Sequence, residues 1–352
     1  MNAYIQIKNR RIGAGYPCYV VAEMSANHNQ SFDDAVKIIE AAKDAGADAI
    51  KLQTYTPDTL TIDCDSEYFQ INAGIWEGRN LYELYGDAYT PWEWQPRLKK
   101  IADTLGMDLF STPFDTTAVD FLEEMDVPAH KIASFEIVDL PLLRRIAETA
   151  KPIILSTGMA TLAEIDEAVS VIRDTGNNQL ALLKCTSAYP ARPEDMNLNT
   201  IAHLNRAFNV PIGLSDHTLG IVVPLTAVAL GACIVEKHFT LDRSKAGPDS
   251  EFSLEPDEFK AMVEAVRTAE KAVGRVHYGV SQHESRNRIF RRSLFVVQDM
   301  KAGEQFTTDN LRSIRPGHGL HPRYLDDVLG RYAVIDINRG TPLKWDLISK
   351  AG

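Results

Sequence analysis

Eight short apolar runs, separated by stretches with apolar residues at helical spacing, constrain this chain more than any other feature. The runs are CYVVAEM (18–24), DAIKLQTY (48–55), MDLFSTPF (107–114), HKIASFEI (130–137), KPIILSTGM (151–159), QLALLKCTSAY (179–189), VPIGLSDH (210–217) and ACIVEKHF (232–239). Between them, segments such as FDDAVKIIEAAKDAG, LPLLRRIAETA and LAEIDEAVSVIRDTG carry the three-to-four spacing of amphipathic helices. Pro91 and Asp115 stand where helices start, Gly46 and Gly106 where they stop. Parallel strands need a crossover between them, which a helix supplies. Eight such units predict an α/β fold of the (β/α)8 TIM barrel type. A doubly wound open sheet would need an added edge, and no glycine-rich phosphate turn is visible.

The barrel is expected over residues 1–274, after a polar start (MNAYIQIKNRRIGAGYP). A polar linker follows at 275–290, then a small β-rich module at 291–352 punctuated by Gly, Pro and Asn. From Arg291 onward ten Lys/Arg face seven Asp/Glu, although the whole chain has a net charge of −11. That acidic balance argues against nucleic acid or an acidic membrane surface as partner. No charged-then-apolar signal opens the chain and no apolar run is long enough to span a bilayer, which fits a cytoplasmic protein. Cys18, Cys64, Cys185 and Cys233 lack metal-type spacing; three lie in apolar runs and read as reduced, buried thiols. Residues 56–90 form a long aromatic insertion after the second run, read as a lid or substrate wall, or as an oligomer contact.

Chemistry collects at the C-terminal ends of the strands in such a barrel. His217 and His238 close the last two runs, on strands that are parallel neighbours, so both imidazoles can converge on one divalent ion. The ends of the eight runs also present Glu23, Asn27 and His28; Lys51 and Gln53; Ser111 and Thr112; Lys131, Ser134 and Glu136; Ser156 and Thr157; Ser187 and Tyr189; Ser215; and Lys237. Lysines inside otherwise apolar runs are costly unless paired. With hydroxyls around them, Lys51 and Lys131 suit a ligand bearing phosphate and carboxylate.

The ordered series AEMSANHNQ, IKLQTY, FSTPFD, KIASFE, STGMAT, GLSDHT, EKHFTLDR, GPDS and RPGHGL resembles the sialic acid synthase family from end to end. The resemblance implies a barrel that condenses phosphoenolpyruvate with an amino sugar, followed by an antifreeze-like (SAF) module swapped across a homodimer. It implies His217 and His238 as ligands of Mn2+, Co2+ or Mg2+, and Lys51, Thr112, Lys131, Ser134, Ser156 and Ser215 as the phosphoenolpyruvate site. Gln53, Glu136, Ser187, Tyr189 and Asp249 fall to the sugar, with Arg315 of RPG arriving from the partner chain. Glu23 falls beside the reacting carbons as a candidate base. CTSAYP stands where sialic acid synthases tend to carry CTNxYP, so Ser187 replaces an amide. That points away from N-acetylmannosamine and toward a 6-deoxy-4-acetamido hexose, 2,4-diacetamido-2,4,6-trideoxy-L-altrose, with the legionaminic acid precursor as an alternative. Gly317 and Gly319 are expected to leave the RPGHGL loop flexible enough to approach a ligand.

Overall fold

Each apolar run becomes a strand, and the eight close into one parallel barrel. In chain order the strands are β1 (Tyr4–Ile7), β2 (Arg10–Gly13), β3 (Tyr19–Glu23), β4 (Ala49–Thr54), β5 (Asp108–Pro113) and β6 (His130–Ile132). They continue with β7 (Ile153–Ser156), β8 (Leu180–Cys185), β9 (Ile212–Asp216), β10 (Ile234–His238), β11 (Ser293–Val296) and β12 (Leu311–Ile314). β3 to β10 pair in sequence order, and β10 closes onto β3 with His238 opposite Glu23. This computed structural model describes residues 3–72, 74–245 and 247–350, in two compact units, 1–274 and 275–352.

Several of the helices between strands start on side-chain caps. Ser31 accepts from Asp34 N ahead of Phe32–Asp44, Asp115 from Thr117 N and Ala118 N ahead of Thr116–Glu124, and Thr161 forms a reciprocal box with Glu164. Pro91 precedes a 3-10 turn, Trp92–Trp94, which feeds the helix Gln95–Thr104. Along each barrel strand the side chains alternate between the interior and the helix layer. Tyr19, Val21, Ala49, Phe110, Ile154, Leu183 and Ile234 fill the interior. Gly213 completes that layer because a Cβ there would stand 2.5 Å from Leu183 Cδ2 and 2.6 Å from Ile234 Cβ.

The polar start of the chain is itself structured. β1 and β2 form an antiparallel hairpin whose Ile5, Ile7 and Ile12 are buried in the same cluster as Tyr19 and Phe110. The hairpin therefore closes the N-terminal end of the barrel. Its polar face is pinned by Arg10 to Asp48 (2.7 Å) and Lys8 to Asp108 (3.2 Å). The 56–90 insertion is ordered by two short helices, Pro57–Leu60 and Leu81–Ala88, and by Trp76 Nε1 donating to Pro248 O at 3.0 Å.

In the second unit, β11 and β12 pair antiparallel over a core that includes Leu294, Val296, Phe306, Leu311 and Leu343. Residues 276–290 are exposed and carry the helical turns Gln282–Ser285 and Arg286–Phe290. The RPGHGL loop is tied down rather than free: Gly317 N donates to Ile289 O at 2.7 Å and Gly319 N to Ser293 Oγ at 2.9 Å. Gly319 is needed for close packing, because a Cβ would collide with Leu294 O. Among the described residues no helix is long and apolar enough to cross a membrane.

Candidate active site

At the C-terminal mouth of the barrel lies a cavity of about 470 Å³. Strand alternation decides what reaches it. Lys51 and Gln53 point inward from β4, Lys131 from β6, Ser156 from β7, Ser215 from β9 and His238 from β10, and His217 joins them just past β9; all line the cavity. Ser134, Glu136, Tyr189 and Asp249 line it from the loops that follow the strands. Ser111, Thr157 and Lys237 are one residue out of step and do not line it. Ser111 bonds Thr54 Oγ1 (2.6 Å), Thr157 donates to Leu183 O (3.0 Å), and Lys237 pairs with Asp216 at 2.6 Å. Asn27 and His28, expected at the mouth, are held elsewhere. Asn27 donates to Phe239 O and Ser253 Oγ, while His28 bonds Thr90 and is pushed by burial down to about 4.

The floor is a charge cluster. Lys51 Nζ lies 3.0 Å from Glu23 Oε2, 3.3 Å from Glu236 Oε1 and 3.4 Å from Thr112 Oγ1. Lys131 Nζ donates to Ser156 Oγ (2.7 Å) and Ile132 O (3.1 Å) and stands 3.7 Å from Glu236 Oε1. Ser215 Oγ donates to the same Glu236 oxygen at 3.2 Å. Burial raises the Glu23 carboxyl to about 7 even beside Lys51. Burial also works against the Glu236 carboxylate, but Lys131 and Lys51 together outweigh it and hold this group below its ordinary value. Lys51 is held above its ordinary value because Glu23 and Glu236 outweigh burial, whereas burial lowers Lys131. Two lysines converge on one carboxylate, Glu236, and among the described residues Lys131 approaches no carboxylate closer than 3.7 Å, so its ammonium can take an incoming anion.

Gln53 Nε2 bridges Glu23 Oε1 (3.1 Å) and Ser25 Oγ (2.9 Å), and Ser25 donates on to Asp249. Gly158 N donates to Ser134 Oγ at 3.0 Å, and a Cβ at Gly158 would collide with Ser187 Oγ. Ser187 itself does not line the cavity; its hydroxyl lies 3.9 Å from Cys185 Sγ. Burial pushes the Glu136 carboxyl up to about 7, and its Oε2 is buried without a hydrogen-bond partner. Arg315 is exposed in the second unit.

The imidazoles of His217 and His238 lie with ring centroids 5.3 Å apart. His217 Nδ1–H donates to Thr186 O at 3.0 Å, which fixes the tautomer and leaves Nε2 as an acceptor. Burial, with His217 and the lysines nearby, pushes His238 well below its ordinary value, so it is neutral, and its buried Nδ1 has no partner. Burial works against a charged His217, but Cys185 and Thr186 outweigh it and hold this group above its ordinary value. Two imidazoles side by side at a polar cavity, with His217 Nε2 and His238 left without protein partners among the described residues, fit a divalent ion completed by water or substrate. Among the described residues no group of three or more His, Cys, Asp and Glu forms a fuller ligand set.

Sequence reasoning missed Glu236, the carboxylate both lysines share. The period of two was the available signal, since it places Glu236 on the same face as His238 and turns Lys237 outward. It also missed Ser25 and Cys185, whereas Trp76 belongs to the aromatic insertion read as a lid or substrate wall and does line the cavity. Trp76 packs on Tyr189 at 5.6 Å, and Tyr189 on His217 at 4.5 Å. Cys185 Sγ lies 3.9 Å from His217 Nδ1; burial raises the thiol, but that neighbour outweighs it and brings it to about 7.

Residues 38–278 match the NeuB family and residues 291–349 the SAF domain. The chain is 49% identical to a pseudaminic acid synthase of Campylobacter jejuni, over 93% of this chain and 95% of that one. It is 44% identical to a pseudaminic acid synthase of Helicobacter pylori, over 95% and 99% of the two chains. The crystal structure of N-acetylneuraminic acid synthetase from Leptospira borgpetersenii, in complex with citrate, superposes with a TM-score of 0.73 at 33% identity, covering 82% of this chain and 95% of that one. A parallel eight-stranded barrel with buried lysines and two imidazoles at its mouth, followed by an SAF domain, is thus accounted for: the chain belongs to the NeuB family, that of the sialic acid synthases.

Proposed function

We propose that the protein condenses phosphoenolpyruvate with 2,4-diacetamido-2,4,6-trideoxy-L-altrose and water, releasing pseudaminic acid and phosphate. The observation that carries this reading is 49% identity to a pseudaminic acid synthase over 93% of the chain, set beside a floor able to hold an anion. Lys51 and Lys131 bind the phosphate and carboxylate, and the hydroxyls of Thr112, Ser134, Ser156 and Ser215 orient them. Held by His217 and His238, a divalent ion (Mn2+, Co2+ or Mg2+) would supply Lewis-acid polarisation of the open-chain sugar aldehyde. C3 of phosphoenolpyruvate forms the new C–C bond to that aldehyde carbon. Water adds to the oxocarbenium carbon at C2, and Glu23, with a proton affinity near neutrality, takes its proton. The bond from C2 to the phosphate oxygen then breaks as the C2 hydroxyl gives its proton to the departing phosphate, leaving the keto acid, and the proton held by Glu23 passes to the former aldehyde oxygen, now a hydroxyl. Gln53, Glu136, Tyr189 and Asp249 position the sugar, with Ser187 behind them.

Arg315 completes the site from a second copy in this reading, which makes the protein a homodimer with exchanged C-terminal modules. What supports it is the apolar rim of the mouth: Phe135, Val138, Met159, Leu162, Leu219 and Val222 are all exposed. Mixing His217→Ala with Arg315→Ala tests it. Activity regained on subunit exchange supports the exchange of modules; none, despite proven exchange, assigns each arginine to its own barrel.

The activity itself is tested by phosphate release from phosphoenolpyruvate with a panel of amino hexoses. Release that depends on the diacetamido trideoxy altrose is the expected result. Preference for N-acetylmannosamine or for the legionaminic acid precursor would overturn the assignment of the sugar.

A further inference from the structure

The cavity has two walls of different make. Its floor and one side are the charged and hydroxyl groups at the strand ends. Much of the other side comes from one stretch of chain: Leu60, Ile71, Leu81, Leu84 and Tyr85 of the 56–90 insertion, joined by Phe114. Tyr55 backs this side, packed edge-on against Tyr85 at 5.7 Å and Phe114 at 5.1 Å. The four aliphatic side chains and Phe114 offer neither donor nor acceptor. Two ring-to-ring steps, His217 to Tyr189 at 4.5 Å and Tyr189 to Trp76 at 5.6 Å, lead from the imidazoles toward the insertion. A hexose whose aldehyde carbon lies at the imidazoles therefore carries its far end to the apolar side. A hydroxyl pressed there would lose its water and gain no partner, whereas a methyl group would shed water favourably.

We infer that Leu60, Ile71, Leu81, Leu84 and Phe114 form the surface that selects a deoxygenated acceptor, seating a C6 methyl and turning away the 6-hydroxy sugar. This rests on the reading above that the acceptor is an amino hexose condensed through its aldehyde. It assigns the insertion a task distinct from catalysis: the floor handles the phosphoenolpyruvate, and the insertion chooses its companion.

The test compares kcat/KM for 2,4-diacetamido-2,4,6-trideoxy-L-altrose and its 6-hydroxy analogue, in the wild type and in Leu60→Asn and Leu81→Asn. Leu60 and Leu81 are half-buried, so isosteric asparagines are suited to keep the fold, checked by thermal melting, with Leu81→Met as the apolar control. The wild type is expected to favour the deoxy sugar on the order of 100-fold, the range a hydrophobic pocket reaches against an added hydroxyl. Each asparagine should cut that ratio roughly tenfold, Leu81→Met should keep it, and KM for phosphoenolpyruvate should stay put. A wild-type ratio near one, or a high ratio unchanged in both folded asparagine variants, overturns the inference. If the wild type ignores the diacetamido sugar but condenses another hexose, the assignment of the sugar fails. The same ratio, taken on that hexose and its 6-deoxy form, then decides the inference by the same outcomes.

Discussion

Lys131 and Lys237 sit on two strands of one barrel, both essentially excluded from solvent, yet they belong to different kinds of place. Lys237 faces the helix layer and has one anion to itself: Asp216 at 2.6 Å, itself fixed by Thr218 N and Oγ1 at 3.1 and 2.9 Å. Lys131 faces the cavity, and its nearest carboxylate, Glu236 at 3.7 Å, is closer to Lys51, at 3.3 Å. Lys237 has a close carboxylate of its own; Lys131 has only the far edge of one that Lys51 already holds more closely. A buried charge that is fully partnered holds structure together, and one left short of partners is waiting for a ligand.

That contrast can be broken in order of effect. The largest belongs to the imidazoles: His217→Ala or His238→Ala should abolish phosphate release and Mn2+ binding, followed by calorimetric titration, while leaving the melting temperature close to wild type. Turnover near the wild-type rate in the presence of a chelator would remove the metal from the site. Next, Lys131→Met should lower kcat/KM for phosphoenolpyruvate on the order of 10³-fold, the scale of losing one positioned charge, with no loss of thermal stability. Lys237→Met should do the reverse. Stranding Asp216 in the helix layer costs about 3–5 kcal/mol, a fall of roughly 10 °C in Tm, with activity per folded molecule nearly unchanged. Removing both partners, Lys237→Met with Asp216→Leu, should restore most of that loss.

The smallest effect concerns Glu136, whose Oε2 has no partner at all. Its folded carboxyl titrates at about 7 against 4.5 for the free group. The protonated form's advantage is complete below 4.5 and is lost as pH rises through 7. Glu136→Gln should therefore match the wild type in unfolding free energy at acid pH and exceed it at pH 8 by about 2 kcal/mol after solvent screening. Equal melting temperatures across that range would mean the carboxyl finds water or a counter-charge in solution.

The eight strands were legible because parallel strands buried on both faces read as unbroken apolar runs, and because Asp115 and Gly106 punctuate the helices between them. The meeting of two imidazoles at the mouth was legible because His217 and His238 close neighbouring runs. Side-chain direction within a run was not: apolar residues flank Lys237 and Lys131 alike, and only the pleat separates them. Counting by twos from His238 would have recovered Glu236 and dismissed Lys237. The hairpin of Tyr4–Ile7 and Arg10–Gly13 escaped because each strand is four residues long and half polar, too short for periodicity to show. The glycines of RPGHGL misled in another way. Composition cannot distinguish a glycine that allows motion from one, like Gly319, that allows a backbone carbonyl to come close.

With Ile5, Ile7 and Ile12 stoppering its far end, the barrel is a vessel with a single door. On the proposed function, phosphoenolpyruvate on the lysine floor lies deeper than the sugar beside the insertion, so it must come aboard first. The phosphate freed at that depth is then the last passenger out. Any sugar that arrives early blocks the only way in, and acceptor in excess becomes an inhibitor of the reaction it feeds.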